Sequence, residues 1–224
     1  LQLVLLSFII TFAQYVLFYI GLANTSGVNA AIVNPTNVFF SAILAHIFYK
    51  NDHLTKFTVT GIFLGFTGVA FANITPGSLS FDFKLMGEGL LMLAAFFWAL
   101  GGIYGKRLSG KIDPLVMTGW YLFLGGLMIT VTGYLMGGKL SGFTPASISL
   151  LIYMALISSV AFTLFSFMYK YNKVSKISIY NLSIPVFGVI MSGLFLGENI
   201  FQLRYLIALV LVYTGIWLVI RRGH

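Results

Sequence analysis

From Leu1 to Tyr49 the chain passes without one Asp, Glu, Lys or Arg. Five later stretches, Phe57–Phe81, Gly89–Gly105, Pro114–Gly138, Leu140–Tyr169 and Ile177–Gly197, are equally free of charge. An ordinary chain draws about a quarter of its residues from these four types. Here the share is 8%, against 59% apolar residues. Such a chain cannot build a surface that faces water along its length. It specifies an all-α polytopic membrane protein, because lipid offers backbone N–H and C=O groups no partner outside the helix and ~20 apolar residues are needed to cross. Zero cysteines exclude disulfides and thiolate chemistry.

Eight spans fill most of the chain: Leu1–Leu22, Gly27–Tyr49, Phe57–Ala72, Met86–Tyr104, Pro114–Leu135, Ser147–Tyr169, Ile177–Leu196 and Tyr205–Ile220. Their joints have local causes. Asp113-Pro114 and Thr144-Pro145 each place a side-chain acceptor at the N-cap and a proline at the first helical position, where the absent N–H is not missed. Ala23–Gly27 divides a run too long for one span. Ile74–Asp82, with Pro76, Gly77 and two serines, is the longest polar link and marks a boundary between residues 1–73 and 86–222, with 74–85 between them.

The 13 basic residues outnumber the 5 acidic ones, and their placement gives an orientation. With the first residue inside, alternate joints put Lys50, Lys56, Lys106, Arg107, Lys111, Lys170, Lys173, Lys176, Arg221 and Arg222 in the cytoplasm and Lys84, Lys139 and Arg204 outside. Both ends of the chain are then cytoplasmic. Basic residues in short blocks beside spans suit an anionic bilayer surface and not nucleic acid.

The two parts of the chain also repeat. Pro35 in Asn34-Pro35-Thr36-Asn37-Val38-Phe39 pairs with Pro185 in Ser183-Ile184-Pro185-Val186-Phe187, while Phe66-Thr67-Gly68-Val69 pairs with Tyr213-Thr214-Gly215-Ile216. Charge sets the relative orientation of the copies. The link before the Pro35 span, Ala23–Val28, is uncharged, and its counterpart before Pro185 contains Lys170, Lys173 and Lys176. Equivalent links therefore face opposite sides, which makes the repeat inverted, a recurring construction of secondary transporters.

This pattern resembles the EamA domain of the drug/metabolite transporter superfamily. The resemblance rests on the Tyr-containing first span, the Thr/Ser link, the Pro-Val/Thr-Phe helices, Leu196-Gly197-Glu198-Asn199, the final Thr-Gly helix, and Trp98-Ala99-Leu100 followed by Lys106-Arg107-Leu108. It implies a ten-helix fold of two inverted five-helix repeats. This chain would hold the last three helices of the first repeat and all five of the second, with two helices, about 60 to 70 residues, ahead of Leu1. One departure is Lys50-Asn51-Asp52 in the first repeat where the second has Gly197-Glu198.

The implied function is a secondary transporter, an exporter or permease for small metabolites, amino acids or drugs, working by alternating access in a bacterial inner membrane. Pro35 and Pro185 would free the carbonyls of Ala31 and Asn181 and serve as hinges. Gln14, Asn34, Asn37, Trp98, Tyr180, Asn181 and Ser183 would bind the solute. The alternative for each polar side chain is to satisfy a freed carbonyl or bond a neighbouring helix; for Trp98 it is a place facing lipid. Glu88 and His46 are the proton-coupling candidates, with a solvated first-turn carboxylate and an interfacial histidine as the alternatives. Glu198 ends a helix and is expected in solvent.

Gly61/Gly65 and Gly101/Gly105 read as packing within the chain, with a homodimer seam as the alternative. No phosphate loop, catalytic acid pair or metal-ligand spacing is present in the sequence, so no enzyme activity, cofactor or metal is expected. Two alternatives to the metabolite exporter are an exchanger of nucleotide sugars or sugar phosphates and a non-transporting membrane scaffold or receptor.

Overall fold

The computed structural model describes residues 1–48, 55–73, 83–139, 142–171 and 183–222. Eight helices account for nearly all of these residues: α1 Gln2–Ala23, α2 Gly27–Phe48, α3 Lys56–Ala72, α4 Leu85–Ser109, α5 Pro114–Leu135, α6 Pro145–Tyr171, α7 Ser183–Leu196 and α8 Leu203–Arg222. Six have the length and hydropathy of membrane spans, while α3 and the described part of α7 are shorter. The expected polytopic helical fold is the observed one.

Helices begin where a side chain can satisfy an orphaned N–H. Ser26 Oγ accepts from the Asn29 amide at 3.1 Å, Thr55 Oγ1 from Thr58 at 3.2 Å, Asp113 Oδ1 from Leu115 at 2.9 Å and Thr144 Oγ1 from Ser147 at 3.2 Å. Three helices depart from α geometry internally. Pro35 has no N–H to continue the ladder, and α2 tightens there into a 3-10 turn, Asn34–Thr36. Wider π turns occupy Phe8–Ala13 in α1 and Leu85–Gly89 at the start of α4.

The largest core lies where α3 and α8 run antiparallel, with Val69, Val212 and Ile216 packed beside Ile32, Val33 and Phe39 of α2. Absent side chains make the approach possible. A Cβ built on Gly61 would stand 2.5 Å from the Gly215 carbonyl oxygen, and one on Gly68 would stand 2.9 Å from that of Ala208. Gly61 with Gly215 and Gly68 with Ala208 exchange roles when 147 is added to one number and subtracted from the other. The contact therefore uses the same surface on both helices, as a two-fold axis would require. Gly101 of α4 likewise rests on Ile10 of α1. Both GxxxG pairs thus have a packing partner inside the chain for at least one glycine.

The outer faces are apolar. Most of α6 is unburied, and Leu150, Leu151, Tyr153 and Leu156 are each more than half exposed, the composition of a surface solvated by lipid. Helix alternation puts Lys56, Lys106, Arg107 and Lys111 at one end of the bundle and Lys84, Lys139 and Arg204 at the other. We call these the basic end and the link end.

The seam is testable. Gly215→Ala inserts a methyl into backbone and is expected to cost about 1–3 kcal/mol, seen as a lower unfolding temperature in detergent. Gly119→Ala, where a Cβ meets nothing within 4 Å, is expected to leave that temperature unchanged.

Candidate functional site

Besides the apolar core, an aromatic cluster and a polar cluster among the described residues combine side chains from before residue 74 and after residue 82. The first is aromatic. Phe162 of α6 is the hub: its ring centre lies 5.4 Å from Trp98 of α4, 6.3 Å from Tyr15 of α1 and 6.4 Å from Tyr121 of α5. Trp98 stands near the middle of its span, and Gly101, Gly102 and Gly105 follow it along the helix, so the wall below the indole carries no side chain of α4 at these three positions, and Ile10 of α1 rests on Gly101. A cavity of about 30 Å³ results, bounded by Leu6, Ile10, Trp98, Phe162 and Phe165 and continuing to Lys106 and Ser109 in the last turn of α4. It has room for about a water molecule and points towards the basic end. Beside it, Thr118 and Ser166 share a buried hydrogen bond of 2.8 Å.

The second place is at the link end and is built on two carboxylates. Glu88 is 1% exposed. It accepts from Thr25 Oγ1, from Asn29 Nδ2 at 3.1 Å and from the Lys84 amide at 2.9 Å. Asn29 Nδ2 also reaches Asn73 Oδ1 at 3.3 Å, and Asn73 Nδ2 returns to the Val69 carbonyl. A buried carboxylate is tolerated when its lone pairs are met in this way.

Glu198 is held similarly. Gly197 adopts φ +66°, a left-handed conformation that ends α7 without strain from a Cβ and turns the next residue back. Glu198 then accepts from the amides of Gly27 and Val28 at 2.8 and 2.9 Å and from Ser192 Oγ at 2.8 Å. It caps α2, whose first N–H groups have no partner within the helix. Above Glu88 an open polar recess of about 530 Å³ is lined by Asn24, Thr25, Asn73, Lys84 and Arg204. Arg204 lies over the Tyr205 ring, 4.6 Å from its centre, and bonds Gln202 Oε1 at 2.7 Å.

The sequence-derived candidates fall in different places. Trp98 lines the aromatic cavity. Pro35 and Asn37 are buried and Asn34 half-buried in and after the 3-10 turn, which lies against α4 and α7. Asn37 Oδ1 and Thr36 Oγ1 are buried acceptors without a hydrogen-bond partner, as is Gln14 Oε1 in α1. Of the three, only the Thr36 hydroxyl could donate to a freed carbonyl, and it does not. Pro185 is buried in the first described turn of α7, with Gly188 packed on Ala31 of α2. Tyr180 and Asn181 lie outside the described residues, as does the side chain of Ser183. His46 is exposed in the last turn of α2 at the basic end. Glu88 is not the solvated first-turn carboxylate offered as its alternative, and Glu198 is not in solvent but half-buried against α2. Its two partners in α2 are 170 and 171 positions away, beyond the reach of any local pattern.

Comparison with known proteins gives the lineage. The model of the EamA-like transporter family matches residues 1–74 and 85–221. The chain belongs to that family. It is accordingly an integral membrane protein of a transporter family, not of an enzyme family. An uncharacterized Bacillus subtilis transporter, YvbV, is 27% identical over 187 residues, covering 81% of this chain and 60% of that protein. A second from the same organism, YyaM, is 35% identical over 131 residues, 57% of this chain and 42% of its own. An uncharacterized transporter of Methanothermobacter thermautotrophicus is 28% identical over 232 residues, covering 100% of this chain and 65% of the relative. The chain thus spans between 42% and 65% of the length of these relatives. One solved crystal structure shares the fold, with a TM-score of 0.66 over 92% of this chain and 72% of its own at 15% identity.

The orphaned hydroxyl and the paired one predict opposite outcomes. Thr36→Val removes an unpaired buried hydroxyl and is expected to leave stability unchanged or raise it by about 1 kcal/mol, whereas Thr118→Val removes the hydroxyl paired with Ser166 and is expected to cost about 0.5–1.5 kcal/mol. Thermal unfolding of the two variants in the same detergent checks both.

Proposed function

We propose that the chain is the greater part of a secondary transporter that exports a small organic metabolite, amino acid or drug by alternating access, residues 1–73 and 86–222 acting as two inverted repeats. The supporting observation is the Trp98 cavity, walled by α1 from one part and by α4, α5 and α6 from the other. At about 30 Å³ it excludes an organic solute until those helices part. A site that exists only when two packed bodies separate is what alternating access needs.

The aromatic wall favours a solute with a planar or apolar portion, since ring contacts contribute about 0.5–1.5 kcal/mol each beyond burial. The role reading follows the residues. Trp98 stacks on the solute, while Gln14, Asn34, Asn37, Tyr180, Asn181 and Ser183 supply polar contacts near the two prolines, which act as hinges. His46 stands at the basic end where a proton would enter or leave, and Glu88 is the one carboxylate within a span. Ten of the 13 basic residues at one end make that end cytoplasmic, in a bacterial inner membrane with both ends of this chain inside. The protein acts without cofactor or metal, and a homodimer is compatible with its lipid-facing surface.

A second reading, exchange of a phosphorylated sugar, is favoured by one observation: Lys106 lines the far side of the cavity. Flux into proteoliposomes carrying the full-length protein tests both. The first reading expects uptake from a panel of amino acids and neutral metabolites, and a loss of about tenfold on Trp98→Ala, equivalent to about 1.4 kcal/mol of aromatic contact. The second expects uptake of sugar phosphates that Lys106→Ala abolishes. No flux across either panel from correctly folded protein contradicts both.

A further inference from the structure

We propose that Glu88 and Glu198 form a double clasp that holds the link end of the bundle shut, and that this end opens only when both carboxylates release the stretch Thr25–Asn29. The proposal rests on the alternating-access reading for its place in a cycle, though not for its geometry. Both carboxylates belong to the chain after residue 82, and both grip the same five residues of the chain before residue 74. Each has one donor on its own side and two across the divide. For Glu88 these are the Lys84 amide at home and Thr25 Oγ1 with Asn29 Nδ2 across. For Glu198 they are Ser192 Oγ at home and the Gly27 and Val28 amides across.

That division suits a latch. Opening removes the two crossing bonds from each carboxylate, leaves the home donor in place, and admits water to the vacated lone pairs. The charge-assisted bonds are strong while dry, and their loss is offset by hydration once wet, so the closed state is favoured without being permanent. A latch also has to sit at a close contact, and glycine provides one on each side. A Cβ on Gly87 would stand 2.9 Å from the Asn24 carbonyl oxygen, and one on Gly27 would stand 2.5 Å from Ser192 Oγ. The clasp therefore fastens surfaces that touch. The aromatic cavity supplies the matching asymmetry, since it runs from Trp98 to Lys106 and Ser109, away from the clasp.

The test uses pairs of spin labels on the full chain in lipid nanodiscs, read as distance distributions. One pair, Leu22 with Phe201, spans the divide at the link end, and both positions are exposed. The other, His46 with Leu115, spans it at the basic end, where both are again exposed. Glu88→Gln with Glu198→Gln is expected to raise the population of long Leu22–Phe201 distances at least threefold over the unsubstituted clasp. Should that double variant fail to fold, Thr25→Val with Asn29→Leu removes both crossing donors of Glu88 and is expected to move the distribution the same way, by less. An unchanged Leu22–Phe201 distribution in a folded variant overturns the clasp. A lengthened link end with a shortened His46–Leu115 distance supports both the clasp and the rocking motion. A lengthened link end with His46–Leu115 unmoved upholds the clasp and overturns alternating access.

Discussion

Lipid gives a polar group nothing to bond to, and most of this structure follows from that deficit. Backbone groups are satisfied within helices, so the chain becomes a set of antiparallel spans. Because lipid tails are as apolar as leucine, those spans gain nothing from hiding apolar surface and must associate through close packing. The Gly61, Gly65 and Gly68 face of α3 against Gly215 of α8 supplies it, with Phe39 lying over Gly65. The same deficit governs the carboxylates. Glu88 is buried and Glu198 half-buried, three donors meet each of them, and those donors come from both parts of the chain.

Two kinds of polar group result, and the difference bears on function. Glu88, Glu198, Thr118 and Ser166 are paired, and each pairing ties one helix to another. Thr36, Asn37 and Gln14 instead carry buried oxygens with no partner. Unpaired acceptors are costly inside a membrane protein. For Thr36 and Asn37, in and after the Pro35 turn where α2 meets α4 and α7, a solute donating hydrogen bonds would offset the deficit.

Much of the fold was legible in the sequence because its signals are local. Charge-free runs of span length located the helices, Asp113-Pro114 and Thr144-Pro145 marked two starts that the structure caps as expected, and Pro35 marked the 3-10 turn. The glycine spacing of α3 foretold close packing within the chain, though not which helix would be its partner. The site was less legible, since its geometry joins residues far apart. Trp98 is singled out by the sequence, but Phe162, the ring that gathers Trp98, Tyr15 and Tyr121, is not. Glu198 was assigned to solvent because a residue after a helix end usually is. The available signal was Gly197, whose freedom to adopt positive φ lets the chain turn back and deliver the carboxylate to α2.

The central claim is that the two parts of the chain move against each other at the link end during transport. The chain has no native cysteine, and a Cβ on Gly27 would stand 3.4 Å from that of Ser192, close to disulfide spacing. Gly27→Cys with Ser192→Cys in the full-length protein therefore allows that end to be locked by oxidation and freed by reduction. The measurement is flux of a transported solute into proteoliposomes in each redox state. The account predicts that oxidation stops flux and reductant restores it; cross-linked protein that carries the solute at the unlinked rate would contradict it.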